Sequence, residues 1–216
     1  MQQTVLDAVL NQARMDQIKG TIPGYFLDEL STRAGVQRIL VFGCGISYLP
    51  DLIAQYHRKA QIVAYDTNRA KIELNKKSIL LQKRVHYTTD RPSEKFDTVI
   101  AHAVLHENPE LLTRAAVEFL KQGGHIGVMD YDMKGMKKDE FFSKWGNQSQ
   151  ERAERRRLGD DESYRMHTSF GLAECVKLMD TQGIEEVFSL GSLTGGTGVI
   201  KTTTHFIYIG RKPHNL

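Results

Sequence analysis

The sequence predicts an α/β protein built on a mostly parallel sheet, and three observations carry that prediction. From Arg38 to Asp130, short apolar runs rich in β-branched residues alternate with amphipathic helical stretches, the rhythm of strand–helix–strand crossovers. A glycine-rich turn, Gly43-Cys44-Gly45, follows the first of these runs. The last two apolar runs, Val187–Leu190 and His205–Ile209, are joined by a short Gly- and Thr-rich link with no helix in it, which predicts an antiparallel pair.

Each element follows from its local pattern. Residues 2–18 and 23–33 read as helices parted by Gly20 and Pro23. Arg38–Phe42 is a strand that stops at Gly43, and 48–58 is helical. Gln61–Tyr65 is a second strand ending at Asp66, and 68–82 is a helix with Ile72, Leu74, Ile79 and Leu80 as its apolar positions. A weak strand, Val85–Thr88, precedes a fourth at Phe96–Ala101. Pro109 opens a helix reaching Leu120, and Gly123-Gly124 is expected to turn the chain into strand His125–Asp130. Residues 169–182 form a further helix, with Thr168 or Ser169 as its cap.

Composition narrows the class. The chain has 216 residues, 40% of them hydrophobic, which is enough for one cored domain. It holds no stretch of the roughly 20 apolar residues that cross a bilayer. The start, MQQTVLDAVL, has no basic segment leading an apolar run, so no secretory signal is expected and a cytoplasmic setting fits. Cys44 and Cys175 make neither a disulfide framework nor a metal spacing. A net charge of +3 permits an acidic partner without demanding one. The densest charge run, Glu151–Arg157, interleaves both signs and reads as a solvated, self-paired helix.

In parallel sheets ligands bind beyond the carboxyl ends of the strands, so the turn Gly43–Ser47 is the first place to look. Glycines there let the backbone turn tightly and approach a ligand; a simple strand–helix turn would use them too. Asp66, about twenty residues on, ends the second strand, where a carboxylate can accept from both hydroxyls of an adenosine ribose or, equally, cap the next helix. A nicotinamide site calls for a third glycine where this chain has Tyr48, whose ring would crowd a pyrophosphate. S-adenosylmethionine (SAM) has no pyrophosphate and tolerates the wider turn.

Five segments carry a resemblance: VFGCGIS (41–47), AYDTN (64–68), FDTVIAHAVLHENPE (96–110), LKQGGHIGVMDYD (120–132) and THFIYIGRK (204–212). Across most of residues 35–210 the chain resembles the class I SAM-dependent methyltransferases. Its central segments look like the branch with the ubiquinone and menaquinone methyltransferases and many small-molecule methylators. The resemblance implies a Rossmann-like, seven-stranded sheet of order 3-2-1-4-5-7-6, strand seven antiparallel, with helices on both faces. It implies that Gly43 and Gly45 line the methionine part of SAM and that Asp66 holds the ribose. It places Asp90 at the adenine amino group and His102 near the methionine portion. Two departures stand out. Val41 replaces an acid that contacts the cofactor amino group indirectly, and Ser47 replaces a third glycine, its hydroxyl able to supply some hydrogen bonding to the cofactor.

Methyl transfer to a hydroxyl or amine needs alignment and a proton acceptor. The residues of that type near the expected site are His102, His106, Glu107, Tyr131, Asp132 and His167, of which His106, Tyr131 and His167 are the expected acceptor-side residues. His102 and His106 would share one face if their segment were helical, and with Glu107 and His167 could ligate a metal, although no metal-ligand motif is present and no metal is expected. His106 could equally be a structural residue of the turn before Pro109, and His167 one of the link that follows the insert.

The expectation is a single methyltransferase domain over 1–216, with a helical cap at 1–34 and a helical insert or lid at 131–168 containing the apolar cluster Phe141, Phe142 and Trp145. The expected activity is methyl transfer from SAM to a small molecule. RNA methylation is the alternative that the isoelectric point of about 8.8 keeps open. A catalytically silent SAM-fold regulator is the alternative that Val41 and Ser47 motivate.

Overall fold

In a computed structural model the described residues are 22–34, 37–77, 84–145, 155–194 and 204–214. The expected helix at 2–18, and with it most of the 1–34 cap, lies outside them, as does the end of the helix expected at 68–82. The elements run α1 (Ile22–Arg33), β1 (Arg38–Phe42), α2 (Leu49–Tyr56), β2 (Gln61–Tyr65), α3 (Arg69–Lys76), β3 (Val85–Thr88) and β4 (Phe96–His102). After a 3-10 turn at Leu105–Glu107 follow α4 (Pro109–Glu118), β5 (Leu120–Tyr131), α5 (Lys138–Trp145), α6 (Asp160–Thr168), α7 (Leu172–Thr181), β6 (Glu185–Thr194) and β7 (Thr204–Arg211).

The strands form one seven-stranded sheet in the order β3-β2-β1-β4-β5-β7-β6. β1 lies at its centre, parallel to β2 and β4. β7 runs antiparallel to both of its neighbours, β5 and β6. The expected order and the reversed seventh strand are both present.

Side-chain alternation along the strands feeds two cores. Ile39 and Val41 of β1 and Ile100 of β4 pack under α1, α2 and α3. Leu40 and Phe42 of β1, with Val99 and Ala101 of β4, pack under α4 and α7. Because successive strand side chains point to opposite faces, both faces of the central strands are buried, which is why they read as continuous apolar runs rather than alternating ones.

Three local expectations need correction. Gly123 and Gly124 do not precede the fifth strand; they lie inside it. Gly123 has a φ of +73°, and the pairing of β5 with β4 shifts register between Phe96 and Thr98, so the glycines make an irregularity in a longer strand. Neither Thr168 nor Ser169 caps α7, whose cap position is Gly171. Instead the Thr168 hydroxyl donates to the Tyr164 carbonyl inside α6. His167, expected in a link, is therefore a residue of the last turn of α6.

Residues 131–168 form, where described, two helices around a small apolar cluster of their own. Met133 and Phe141 are fully buried there, with Tyr131, Met136, Phe142 and Tyr164 packed against them. The Tyr164 hydroxyl donates to the Met136 carbonyl at 2.6 Å, tying α6 to the segment before α5. At the edge, Arg155 pairs with both oxygens of Asp160 and lies 4.4 Å over the Phe142 ring, so this part of the basic run is charge-paired.

Candidate functional site

The turn after β1 is held from both sides. Gly43 and Gly45 have φ of +63° and +55°, a region costly for residues with a Cβ. At Gly43 space matters as well, because a Cβ would sit 2.5 Å from a methyl of Val104 in the turn after β4. Gly45 has nothing within 4 Å of that position, so its outer side is open. Its N–H donates to Asp66 at 2.8 Å, and its carbonyl accepts from the Asn75 side-chain amide at 2.7 Å. Asp66 is buried, and its other oxygen accepts from the Asn68 N–H at 2.8 Å. Capping of α3 falls to Asn68, whose side-chain oxygen accepts from the N–H groups of Ala70 and Lys71. A carboxylate offers about four acceptor positions, so these two bonds leave Asp66 able to accept from ribose hydroxyls.

The two unusual positions of this turn are both used. Val41 is buried in the core beside Ile39 and Ile100, an apolar residue in apolar surroundings. The Ser47 hydroxyl accepts from the Leu49 N–H at 3.1 Å and so meets one of the unpaired donors at the start of α2. Cys44, between the glycines, is buried, and burial followed by the charge of Asp66 pushes its thiol up to about 12. Asp90 lies exposed just past β3, with its own N–H donating to the Thr88 hydroxyl.

The second half of the site lies at the ends of β4 and β5. His102 ends β4 and His106 lies in the 3-10 turn, so the two do not share a helix face. The turn is drawn onto β5 by Asp130, which is fully buried. One oxygen of Asp130 accepts from the N–H groups of Val104, Leu105 and His106, at 3.2, 2.9 and 3.4 Å. The other accepts from the Tyr131 N–H at 2.8 Å and faces His106 Nδ1 at 2.7 Å. Burial alone would raise this carboxyl, but the adjacent His106 and the N–H donors outweigh it and hold Asp130 below its ordinary value.

Around that pair, side chains from four elements meet. The His106 ring lies 4.8 Å from that of His167 and 5.0 Å from that of Tyr131, and Tyr131 lies 5.8 Å from His167. His205, at the start of β7, lies 5.1 Å from Tyr131 on its other side. Phe141 of α5 covers His167 at 5.5 Å. The three residues expected on the acceptor side are thus brought together, although 61 positions separate His106 from His167 in a chain of 216. Burial and the neighbouring His106 push His167 down to about 4, and its Nδ1–H donates to the Ser163 carbonyl at 3.0 Å. Burial and then His205 push His102 down to about 4 as well. Among the described residues no group of three or more His, Cys, Asp or Glu side chains is arranged to hold a metal ion.

Sequence reasoning passed over Asn75, Asp130 and His205. Asp130 had a visible signal, a carboxylate closing the apolar strand run Ile126–Met129. Asn75 and His205 had none, since their roles come from contacts made across the chain.

Comparison with known proteins agrees with this geometry. Residues 40–126 match the family described as a methyltransferase domain. No curated protein matches the sequence at a significant level. Among solved structures, a SAM-dependent methyltransferase from Methanosarcina mazei superposes with a TM-score of 0.63 at 15% identity, covering 87% of this chain and 98% of that one. The N-methyltransferase NodS from Bradyrhizobium japonicum gives 0.54 at 16% identity, over 94% and 96%. The plantazolicin methyltransferase BpumL, with S-adenosylhomocysteine (SAH) and a triazolic desmethylPZN analog bound, gives 0.60 at 15% identity, over 96% and 92%. Among the described residues no helix is long and apolar enough to cross a membrane. The chain carries a methyltransferase domain with the fold of the SAM-dependent methyltransferases, and SAM is the cofactor that its glycine turn and Asp66 fit.

Proposed function

We propose that the protein methylates a small molecule held between the cofactor turn and the helical segment 131–168, which serves as its lid. The observation that carries this reading is the convergence of His106, Tyr131 and His167 at the sheet's carboxyl edge, closed over by Phe141. An acceptor site roofed by a protein helix admits a compact molecule more readily than a polymer. The BpumL structure holds a desmethylPZN analog, a ligand of that kind.

Bound SAM supplies a methyl group on a positively charged sulfur. The chain's own residues do the rest. Gly43, Gly45 and Ser47 follow the methionine portion, Asp66 takes the ribose hydroxyls, Asp90 the adenine amino group, and His102 borders the methionine end. His106, Tyr131 and His167 position the acceptor and exclude water. Alignment of this kind is worth roughly 7–11 kcal/mol of barrier at best.

The test is calorimetry with SAM and SAH, followed by incubation with methyl-labelled SAM and a cell extract split into small-molecule, RNA and protein fractions. Binding of SAM with label in the small-molecule fraction is the expected result. Label in RNA, falling steeply with salt, would move the reading to an RNA methyltransferase. Failure to bind SAM would overturn the proposal altogether.

A further inference from the structure

Within that reading, we infer that His106 accepts the proton of the acceptor, that Asp130 is the residue that positions it for this, and that the acceptor's attacking atom is a protonated oxygen or nitrogen, as in a phenol, an enol or an amine.

The geometry decides which ring nitrogen is the base. Asp130 is an ionised carboxylate and can only accept hydrogen bonds, so the His106 nitrogen 2.7 Å away, Nδ1, carries the proton. The basic nitrogen of the neutral ring is then Nε2. Asp130 does not need His106 to satisfy it, because it already accepts from the backbone N–H groups of Val104, Leu105 and Tyr131. Those bonds fix the carboxylate as a rigid anchor, and the carboxylate fixes the imidazole. The groups facing His106 are Asp130 and Tyr131 at the end of β5, His102 at the end of β4 and His167 on α6. Of these, only Asp130 is a carboxylate able to stabilise an imidazolium as it forms. His167 lacks such a partner: its Nδ1–H is spent on a neutral carbonyl.

The step balances. A lone pair on the acceptor oxygen or nitrogen forms the bond to the methyl carbon. The carbon–sulfur bond breaks with its electrons going to sulfur, which becomes a neutral thioether. The proton of the acceptor passes to Nε2 of His106, and Asp130 offsets the charge that results. A carboxylate acceptor has no proton to lose and would need no such pair.

Two measurements test this in the full-length protein. With SAH bound and histidines labelled with nitrogen-15, long-range proton–nitrogen spectra report the tautomer of His106. The native protein is expected to show Nδ1–H, and Asp130→Asn, whose amide can donate, to shift the ring toward Nε2–H. Methyl-labelled SAM is then offered with catechol, phenol, aniline, benzoate and thiophenol. Label is expected in the hydroxyl or amine compounds. Asp130→Asn should lower kcat by roughly a thousandfold or more, the scale of a misplaced imidazole proton elsewhere, with the KM for SAM unchanged. His106→Gln should do the same if Asp130→Asn does not fold. An Nε2–H tautomer in the native protein overturns the inference. So does native kcat in both variants, or label absent from every hydroxyl and amine while SAM still binds. Each of these outcomes leaves SAM binding and the methyltransferase reading intact.

Discussion

At the residue scale, the cofactor turn is a small machine with separable parts. Asp66 links Gly45 to Asn68 while keeping acceptor capacity for a ribose. Hydrogen bonds to a charged group are worth about 1.5–3 kcal/mol each. Asp66→Ala should therefore weaken SAM binding by roughly ten- to a hundredfold in calorimetry, and an unchanged affinity would show that the ribose sits elsewhere. Asn75 touches only the carbonyl of Gly45 in this turn, so Asn75→Ala is expected to loosen SAM by a smaller factor, on the order of tenfold for one neutral bond. The sequence could not have disclosed this role, because an asparagine inside a polar helix, Arg69–Lys76, looks like any solvated residue. Asp66 was legible because it closes an apolar strand at the right distance from the glycines.

At the element scale, the lid stands on few buried groups. Phe141 is fully buried at its centre, and removing such a ring costs about 3–5 kcal/mol. That cost falls on a small local cluster, so Phe141→Ala should speed hydrogen exchange in 138–145 and 160–168 while the central strands keep their protection. The histidines beneath the lid add a pH dependence. His102 and His167 have folded values of about 4 against an ordinary 6.5, so the unfolded chain takes up their protons first as pH falls. Their contribution is complete above pH 6.5 and lost as pH drops toward 4, by roughly 3 kcal/mol per group. The melting temperature should fall across that window, and His167→Phe should flatten the fall. A pH-independent melting temperature between these limits would contradict the burial of neutral histidines. The lid's helices were readable from charge and spacing. Its docking was not, because the contact of His167 with His106 depends on where α6 crosses the sheet edge, which no local pattern encodes.

At the scale of the whole molecule, the sheet order and the reversed last strand were legible, since alternation, glycine turn and terminal hairpin each constrain the topology independently. The error at Gly123-Gly124 shows the limit of that approach. Two adjacent glycines ordinarily break an element, but here β4 and β7 hold the strand together across them. A ligand that binds only the folded state stabilises it by about 2.7 kcal/mol at a hundredfold excess over Kd. For a chain of this size that should raise the melting temperature by roughly 5–10 °C with SAH, a shift measurable by calorimetry and one that Asp66→Ala should reduce.

The reversed strand β7 has a consequence for how the protein is made. It fills the slot between β5 and β6, and it brings His205 beside Tyr131. On a ribosome, β5 is finished long before β7 exists, and its free edge must wait for a strand encoded near the end of the message. Until then the nascent chain can assemble its cofactor half, β1 to β4, but not the edge on which Tyr131 and Asp130 are set. Premature termination before β7 would therefore leave a SAM-binding fragment with an unpaired, sticky edge, a species suited to chaperone capture rather than to catalysis.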